Sequence, residues 1–315
     1  MSTAKRTVRL IAWTTVFLGM GTAAHAQLNV VTTTSDLATL VQTIGGDAVE
    51  VYSIVPGVQD PHYTEAKPSY IRRINRADLL VTIGLDLEVV WLPLLINGAR
   101  NPALVPGNQG YLEASQGIRV LEVPSGHIDR SQGDIHPAGN PHYWLNPHNG
   151  LSIAERITER LSSLSPKDAD LFQANLTAFR GRLETRIADW EQRMLPFQGR
   201  EVVAYHKQWE YLTHWLGLKI IDYVEDKPGV PPSPRHIANL IERMKNKKIP
   251  ALLCAHFTPP KIPQQVAQKT GAKLLLLPPS VTGGSGIETY IDLFEHLVTE
   301  LENTFEEGAK GGVHE

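Results

Sequence analysis

The chain has 315 residues, of which 42% are hydrophobic and 20% charged, a composition typical of a folded globular protein with room for about two domains. Its 30 basic and 33 acidic side chains give a formal net charge of -3. A near-neutral chain without long runs of like charge lacks the surface potential that attracts nucleic acids and anionic membranes, so we expect neither as a partner.

The first 26 residues have the pattern of a secretory signal peptide. Three basic residues within the first nine positions precede an apolar stretch over 10–21, and an Ala-His-Ala sequence typical of a cleavage site ends at Ala26. The apolar stretch is shorter than the roughly 20 residues that a membrane-spanning helix needs. We therefore expect export, with a soluble mature protein that begins near Gln27.

The chain contains one cysteine, Cys254. A single cysteine cannot form an intrachain disulfide or a cysteine-rich zinc site, and no cysteine lies at the cleavage point, where a lipid anchor would be attached. Cys254 lies within the apolar run 251–255, which indicates a buried strand residue. Export without disulfides or a lipid anchor is typical of a soluble protein of the bacterial periplasm.

From residue 28 the sequence alternates between short apolar runs and segments with helical spacing, which predicts parallel strands joined by crossover helices. Ser35 can cap the first helix, and Gly45-Gly46 ends it. Residues 27–164 are predicted to form one α/β lobe. Its predicted strands are 28–33, 49–55, 79–84 and 118–123, and its predicted helices are 36–44, 68–75 and 91–96.

A long amphipathic helix is predicted over 165–196. Ser165, Pro166 and Asp168 combine three signals of a helix start, and Pro196 marks the end. At a rise of 1.5 Å per residue the helix is more than about 40 Å long, enough to join two lobes rigidly. Its apolar residues recur at alternating intervals of four and three: Phe172, Leu176, Phe179, Leu183, Ile187, Trp190 and Met194.

The alternation of strands and helices resumes after this helix, and residues 197–315 are predicted to form a second α/β lobe. The expected fold is therefore α/β, with two lobes that each contain a mainly parallel sheet flanked by helices, joined by the long helix. The predicted strands of the second lobe are 201–205, 219–224, 251–255 and 273–277, and its predicted helices are 206–216, 235–245, 262–270 and 287–307.

Three histidines stand among proline and aromatic residues at the ends of predicted strands or in a loop near them. His62 follows strand 49–55 and a turn, His206 directly follows strand 201–205, and His142 lies in a long loop. Because ligands of open α/β sheets bind at the carboxyl ends of the strands, these side chains can reach one crevice between the lobes. Neutral imidazole is the commonest protein ligand of zinc and related metals, so we expect one ion bound by all three.

The loop before the second histidine, residues 124–140, carries four more potential metal ligands: His127, Asp129, Asp134 and His136. Imidazoles and carboxylates on a mobile loop can capture a metal ion transiently. The polarity of an ordinary solvated loop explains the same composition, and both interpretations stay open.

The histidine segments resemble those of the metal-specific solute-binding proteins of ATP-driven zinc and manganese importers. Residues 60–69 (DPHYTEAKPS) are similar to the family's first motif, Asp-Pro-His followed by an acid and Pro-Ser. Residues 140–147 (NPHYWLNP) are similar to its Asp-Pro-His-x-Trp-Leu-Asp-Pro segment, with asparagine in place of both acids. Residues 205–218 (YHKQWEYLTHWLGL) are similar to its third motif, and the likeness covers essentially the whole mature chain.

The resemblance implies a periplasmic protein without enzymatic activity that captures a divalent metal and delivers it to an ABC-type permease in the inner membrane. We expect it to act as a monomer. Histidine coordination favours Zn2+ as the transported ion, whereas Mn2+ prefers more carboxylate oxygen and is the less favoured cargo. A mobile loop with His and Asp residues is also a feature of the zinc-binding members of the family.

The family usually supplies a fourth ligand, an acid directly after the strand that corresponds to 273–277. This chain has Pro278-Pro279-Ser280 at that place. Zinc prefers four ligands, so another group has to complete the site. His256, at the end of the preceding predicted strand, is the candidate; water, Glu225 and Asp226 are the alternatives.

Two other functions fit parts of the same pattern. Three histidines with an open position also occur in catalytic zinc sites, so an exported zinc-dependent hydrolase is the main alternative, with Glu210 as a possible base. Against it, the chain has no His-Glu-x-x-His motif, and we expect Glu210 to be a solvated helix residue. A surface adhesin with the same fold is less favoured, because a lipid-anchor cysteine is missing.

Overall fold

Two four-stranded sheets form the framework of the protein in the computed structural model, which describes residues 27–126, 133, 136–282 and 286–311. The strands of the first sheet are β1 (Leu28–Thr34), β2 (Val49–Val55), β3 (Leu79–Thr82) and β4 (Tyr111–Glu113), and those of the second are β5 (Glu201–Ala204), β6 (Lys219–Tyr223), β7 (Ala251–Ala255) and β8 (Lys273–Leu277). The strand orders are β2-β1-β3-β4 and β6-β5-β7-β8, and all neighbours are parallel. All the carboxyl ends of each sheet therefore lie along one edge.

Helices cover the sheets and connect them. The helices are α1 (Ser35–Gly45), α2 (Pro68–Arg76), α3 (Leu92–Ala99), α4 (Pro147–Leu164), α5 (Ala169–Met194), α6 (Glu210–Leu216), α7 (Pro234–Lys247), α8 (Lys261–Thr270) and α9 (Tyr290–Gly311). Helix α5 contacts α1 and α4 on the side of the first sheet and α9 on the side of the second. Within the described part of the chain, every helix is too short or too polar to cross a lipid bilayer. The predicted α/β fold with a long connecting helix is confirmed.

The long helix α5 has 26 residues, and all seven apolar positions predicted for its inner face are buried. It begins after a short 3-10 turn at Pro166–Asp168 and ends in another at Leu195–Phe197. One continuous cluster of buried side chains includes α5 together with residues from both sheets. The division into 27–164, 165–196 and 197–315 stays a prediction.

The predicted strand 118–123 is wrong, because the fourth strand of the first sheet is Tyr111–Glu113. The backbone N–H of Leu121 donates to the Tyr211 hydroxyl at 2.9 Å, and its carbonyl accepts from the Asn140 N–H at 2.9 Å, so neither group joins a sheet. The next residue, Glu122, has a positive φ of 52°, which interrupts an extended strand. Segment 118–123 is therefore held by hydrogen bonds to Asn140, in the loop before α4, and to Tyr211 of the second lobe.

Two helices also differ from the prediction. Helix α4 was not predicted, although Asn146 caps its start by accepting from the His148 N–H at 3.0 Å. Helix α6 begins at Glu210 rather than at 206, so His206 lies in the turn between β5 and this helix. The position of His206 in a turn places its ring at the carboxyl edge of the second sheet.

The start of α1 joins the first lobe to the segment after β8. Ser35 does not cap the helix as predicted; its hydroxyl donates instead to the Val281 carbonyl at 2.6 Å. The same carbonyl packs so closely against Gly57 that a Cβ there would collide with it. Gly57 belongs to the turn that follows β2, so this contact fixes the path of the chain toward His62.

Asp36 is fully buried beneath the same segment, and its Oδ1 accepts from the Val281 N–H at 3.0 Å. Burial raises the pKa of Asp36 to about 7, against the opposing effect of hydrogen bonds from Ser280 and Val281. The folded pKa is thus above that of the unfolded chain. Asp36 therefore contributes stability below about pH 4, and this contribution is lost as the pH rises through about 7.

We expect Asp36→Asn, which keeps an acceptor for Val281 but cannot ionise, to raise the free energy of unfolding at pH 8 by about 4 kcal/mol relative to its effect at pH 4. Urea denaturation of the metal-free protein at both pH values measures this. Asp47→Asn, at an exposed carboxylate, is the control. Equal effects of Asp36→Asn at the two pH values would contradict the raised pKa.

Candidate metal centre

Three imidazoles meet in the crevice between the lobes. His62, His142 and His206 each present a ring nitrogen within 4.8 Å of the other two. Their ring centroids are 5.2 Å apart for His62 and His142, 5.7 Å for His62 and His206, and 5.9 Å for His142 and His206. Zinc–nitrogen bonds are about 2.0–2.1 Å long, so small rotations of these side chains suffice to enclose one ion. The structure brings together the three histidines that were predicted to converge.

Buried hydrogen bonds hold the segments on the first-lobe side of the centre. The Trp91 indole N–H donates to the Pro61 carbonyl at 2.9 Å, next to His62. After His142, the Tyr143 hydroxyl donates to the Ile83 carbonyl at 2.7 Å, just beyond the end of β3. Both acceptors are backbone carbonyls, so the positions of His62 and His142 depend on the backbone of the first lobe.

The third histidine is fixed by the second sheet. The Tyr205 N–H donates to the Leu253 carbonyl of β7 at 2.8 Å. The hydrogen bonding between β5 and β7 therefore continues up to the residue before His206. The Trp144 indole N–H donates to the Pro279 carbonyl at 2.8 Å, just after β8. The loop that carries His142 is thereby tied to the carboxyl edge of the sheet that carries His206.

Each histidine of the group has an oxygen beside its Nδ1. The Nδ1 atoms of His62, His142 and His206 lie 2.7 Å from Asp60 Oδ1, 3.0 Å from Asn140 Oδ1 and 2.8 Å from Glu225 Oε2. A proton on Nδ1 satisfies these acceptors and leaves Nε2 with its lone pair free for a metal, an arrangement typical of metal-binding histidines. The role of Glu225 was not predicted, since this residue was considered only as a metal ligand.

The electrostatics of the centre follow from burial and from these partners. Burial, and then the charges of the neighbouring imidazoles, lower the pKa of His142 well below its usual value, so its ring is neutral. Burial also opposes the charged form of His206, but the hydrogen bond and charge of Glu225 outweigh it and raise the pKa. The pKa of Asp60 is lowered because its interaction with His62 outweighs burial. The centre thus holds negative charge that favours a cation.

A fourth imidazole stands beside the group. His136 Nε2 lies 3.3 Å from His62 Nε2, and the two ring centroids are 5.4 Å apart. His136 belongs to the polar loop, residues 124–140, that was predicted to capture metal. The other predicted residues of that loop, His127, Asp129 and Asp134, lie outside the described residues.

His256 is not brought to the group of three histidines. Its backbone N–H donates to the Leu277 carbonyl at 3.0 Å, and its ring packs against Phe257 with centroids 5.4 Å apart. Burial lowers the pKa of this imidazole. Its Nε2 is buried and has no hydrogen-bond partner among the described residues.

Glu210 is buried, with 8% of its surface exposed, so the expectation of a solvated helix residue is wrong. It accepts from the Tyr223 hydroxyl at 2.7 Å and from the Asn140 side-chain amide at 3.1 Å. Burial, together with the charge of Glu122, raises the pKa of Glu210 to about 7. The loop that carries Asn140 covers this carboxylate, which helical periodicity alone could not indicate.

Two lobes of parallel sheet around a histidine-lined crevice define a class of binding protein that encloses a metal ion between its lobes. The model of the family described as zinc-uptake complex component A, periplasmic, matches residues 30–304, and the chain belongs to this family. Its members are solute-binding proteins of ABC importers, which work with a membrane permease and an ATPase. The predicted family is confirmed, and the hydrolase alternative has no support.

Relatives with curated names agree with this family. The chain is 30% identical over 231 residues to the manganese ABC transporter substrate-binding lipoprotein PsaA of Streptococcus pneumoniae, covering 72% of this chain and 71% of that protein. It is 28% identical over 257 residues to the metal ABC transporter substrate-binding lipoprotein FimA of Streptococcus parasanguinis, covering 80% of each.

Solved structures share the fold. A crystal structure of ZnuA superposes with a TM-score of 0.74 at 25% identity, covering 88% of this chain and 98% of that one. A zinc-bound ZnuA with residues 138–173 deleted gives a TM-score of 0.75 at 26% identity, with the same coverage. The Mn-bound periplasmic metal-binding protein of Candidatus Liberibacter asiaticus gives 0.71 at 23% identity, which supports the fold alone.

Proposed function

We propose that the protein binds Zn2+ in the periplasm through His62, His142 and His206 and delivers it to the permease of an ABC importer. The observation that carries this proposal is the meeting of three ring nitrogens within 4.8 Å of one another, on imidazoles whose Nδ1 atoms each lie beside an oxygen. The neutral ring of His142 and the carboxylates of Asp60 and Glu225 beside the other two rings favour the binding of a divalent cation.

The choice of zinc over manganese rests on the chemistry of the donor atoms. The donors that converge are ring nitrogens, and the segment after β8 contains Pro278, Pro279 and Ser280 where the family usually has a carboxylate. Nitrogen donors favour zinc, whereas manganese favours carboxylate oxygen. PsaA is a relative named for manganese and one ZnuA structure holds zinc, so the names of the relatives leave the metal open.

Titration of metal-free protein with each ion, in competition with a chromophoric chelator, tests the proposed cargo. We expect one equivalent of Zn2+ to bind at least about 100-fold more tightly than Mn2+. Equal or tighter binding of Mn2+ would assign the protein to manganese. Absence of binding by either ion would overturn the proposed function.

The proposal places the protein in the periplasm as a soluble monomer. Residues 1–26 have the pattern of an export signal. The curated relatives are named lipoproteins, but the single cysteine of this chain, Cys254, is buried within β7 and cannot carry a lipid there. Equilibrium sedimentation of the protein purified from the periplasm would show a dimer if the expected monomer is wrong.

His136 and His256 differ in their expected contribution to the fourth coordination position. Because His136 Nε2 lies 3.3 Å from His62 Nε2, we expect His136→Ala to weaken Zn2+ binding by about tenfold and to slow metal capture. His256→Ala is expected to leave affinity within about twofold of wild type, since its ring packs against Phe257. Stopped-flow and equilibrium competition measure both. The reverse order of effects would give His256 the fourth position.

A further inference from the structure

Asn140 links the metal centre to a pair of carboxylates behind it. Its Oδ1 faces the backbone N–H and the Nδ1 of His142, each at 3.0 Å. Its Nδ2 donates toward Glu122 Oε2 at 3.1 Å, Glu210 Oε2 at 3.1 Å and the Lys207 carbonyl at 3.2 Å. The amide therefore lies between one histidine of the centre and two acids.

These partners determine which way the amide of Asn140 points. Every group on its Nδ2 side is an acceptor, so the two N–H bonds of the amide have to face that side. The carbonyl oxygen is then directed at His142, where it accepts a proton from Nδ1. The Nε2 atom of His142 consequently carries the lone pair that a metal ion needs.

Glu122 and Glu210 also supply the negative charge that Asn140 lacks. The residue two positions before the corresponding histidine is Asp60 in the first motif, and Asp60 contacts the Nδ1 of His62 directly. At position 140 the uncharged amide takes this place, while the buried carboxylate of Glu210 and that of Glu122, whose side chain is 34% exposed, stand one hydrogen bond further away. An ionised group behind a metal-bound imidazole raises its basicity.

We propose that Glu122 and Glu210 are positioning residues for the metal centre, which act through Asn140 and together replace an aspartate at position 140. This inference rests on the proposed function, since it requires a metal ion on His142. It also explains why asparagine stands there, because a third carboxylate would face the other two across about 3 Å. Lys207 Nζ, 3.1 Å from Glu122 Oε1, and the Tyr223 hydroxyl, 2.7 Å from Glu210 Oε1, offset part of the charge of the pair.

The network crosses from one lobe to the other. Glu122 and Asn140 belong to the chain before α4, whereas Glu210 and Tyr223 follow β5. The Tyr211 hydroxyl adds a further bond across the crevice by donating to the Asn140 carbonyl at 2.9 Å. The orientation of His142 thus depends on contacts made by both lobes.

The double variant Glu122→Gln, Glu210→Gln tests this role. Both glutamines keep an oxygen for Asn140 but remove the charge, so we expect the Kd for Zn2+ measured at pH 8, where Glu210 is ionised, to rise about 10- to 100-fold. The matched control is Glu242→Gln with Glu288→Gln, which removes two charges at exposed positions and should leave the Kd within twofold of wild type. A double variant that matches this control would overturn the inference.

Addition of Asn140→Asp separates a positioning role from a merely structural one. In the wild-type background it brings three carboxylates together and should lower the Tm of the metal-free protein without tightening zinc binding. In the Glu122→Gln, Glu210→Gln background it returns a carboxylate directly to His142 and should restore the Kd to within about threefold of wild type. If affinity stays low there, the inference is wrong.

Two further measurements keep the test decisive. If the double variant does not fold, the single variant Glu122→Gln, at the more exposed member of the pair, should raise the Kd about threefold, and an unchanged Kd would overturn the inference. Nitrogen-15 spectra of labelled histidine should show the His142 proton on Nδ1 in metal-free wild type. Wild-type protein that binds no zinc would refute the proposed function, whereas zinc binding that is insensitive to the pair refutes only this inference.

Discussion

Replacement of His62, His142 or His206 by alanine is expected to weaken Zn2+ binding by at least about 100-fold. Loss of a residue that only supports a metal ligand costs about 10- to 100-fold, and loss of the ligand itself removes a donor outright. Each substitution also leaves Asp60, Asn140 or Glu225 without its imidazole partner. The affinity for Zn2+ should therefore fall in all three variants, whatever group occupies the fourth coordination position.

Competition with a chelator of known affinity measures these losses. His214→Ala is the control, since His214 is an exposed histidine on α6 and should bind zinc as wild type does. A variant that keeps its affinity within threefold of wild type would remove that histidine from the centre. Unchanged affinity in all three variants would show that zinc binds elsewhere.

Trp144→Ala is expected to lower the free energy of unfolding by about 3–5 kcal/mol. Trp144 is 1% exposed, and its indole N–H donates to the Pro279 carbonyl at 2.8 Å. Its backbone carbonyl accepts from the Tyr290 hydroxyl at the start of α9. The cavity would open where the loop of the first lobe meets the second, with the His142 ring only 5.4 Å from the lost indole.

Urea denaturation of metal-free protein measures this loss, and Trp144→Phe is the matched variant. Phenylalanine keeps most of the packing but not the bond to Pro279, so its cost should be about 1–2 kcal/mol. A loss below about 1 kcal/mol for Trp144→Ala would show that this contact does not hold the lobes. We also expect weaker zinc binding by Trp144→Ala, because the position of His142 depends on the same loop.

The parts of the fold that were predicted correctly depend on local patterns. Largely apolar runs such as 79–82 and 251–255 form buried central strands, and parallel pairing brings the carboxyl ends of all the strands in a sheet to one edge. His62 follows the carboxyl end of β2 and His206 that of β5, so their convergence could be inferred without coordinates. The spacing of apolar residues in α5 likewise depends on helical geometry alone.

The parts that were missed depend on contacts between distant segments. Residues 118–123 have an apolar pattern, but the Tyr211 hydroxyl and the Asn140 loop take the backbone bonds of Leu121. The burial of Glu210 and the contact of Glu225 with His206 join positions in different elements. A polar residue gives no local signal of the partner that it will have after folding, so these roles appeared only in three dimensions.

The X-ray absorption spectrum of protein loaded with one equivalent of Zn2+ tests the three-histidine centre most directly. Outer-shell scattering from imidazole rings reports how many histidines surround the ion. We expect at least three imidazoles, with nitrogen neighbours at about 2.0–2.1 Å. A shell with two imidazoles or fewer would contradict the convergence of His62, His142 and His206 on one ion.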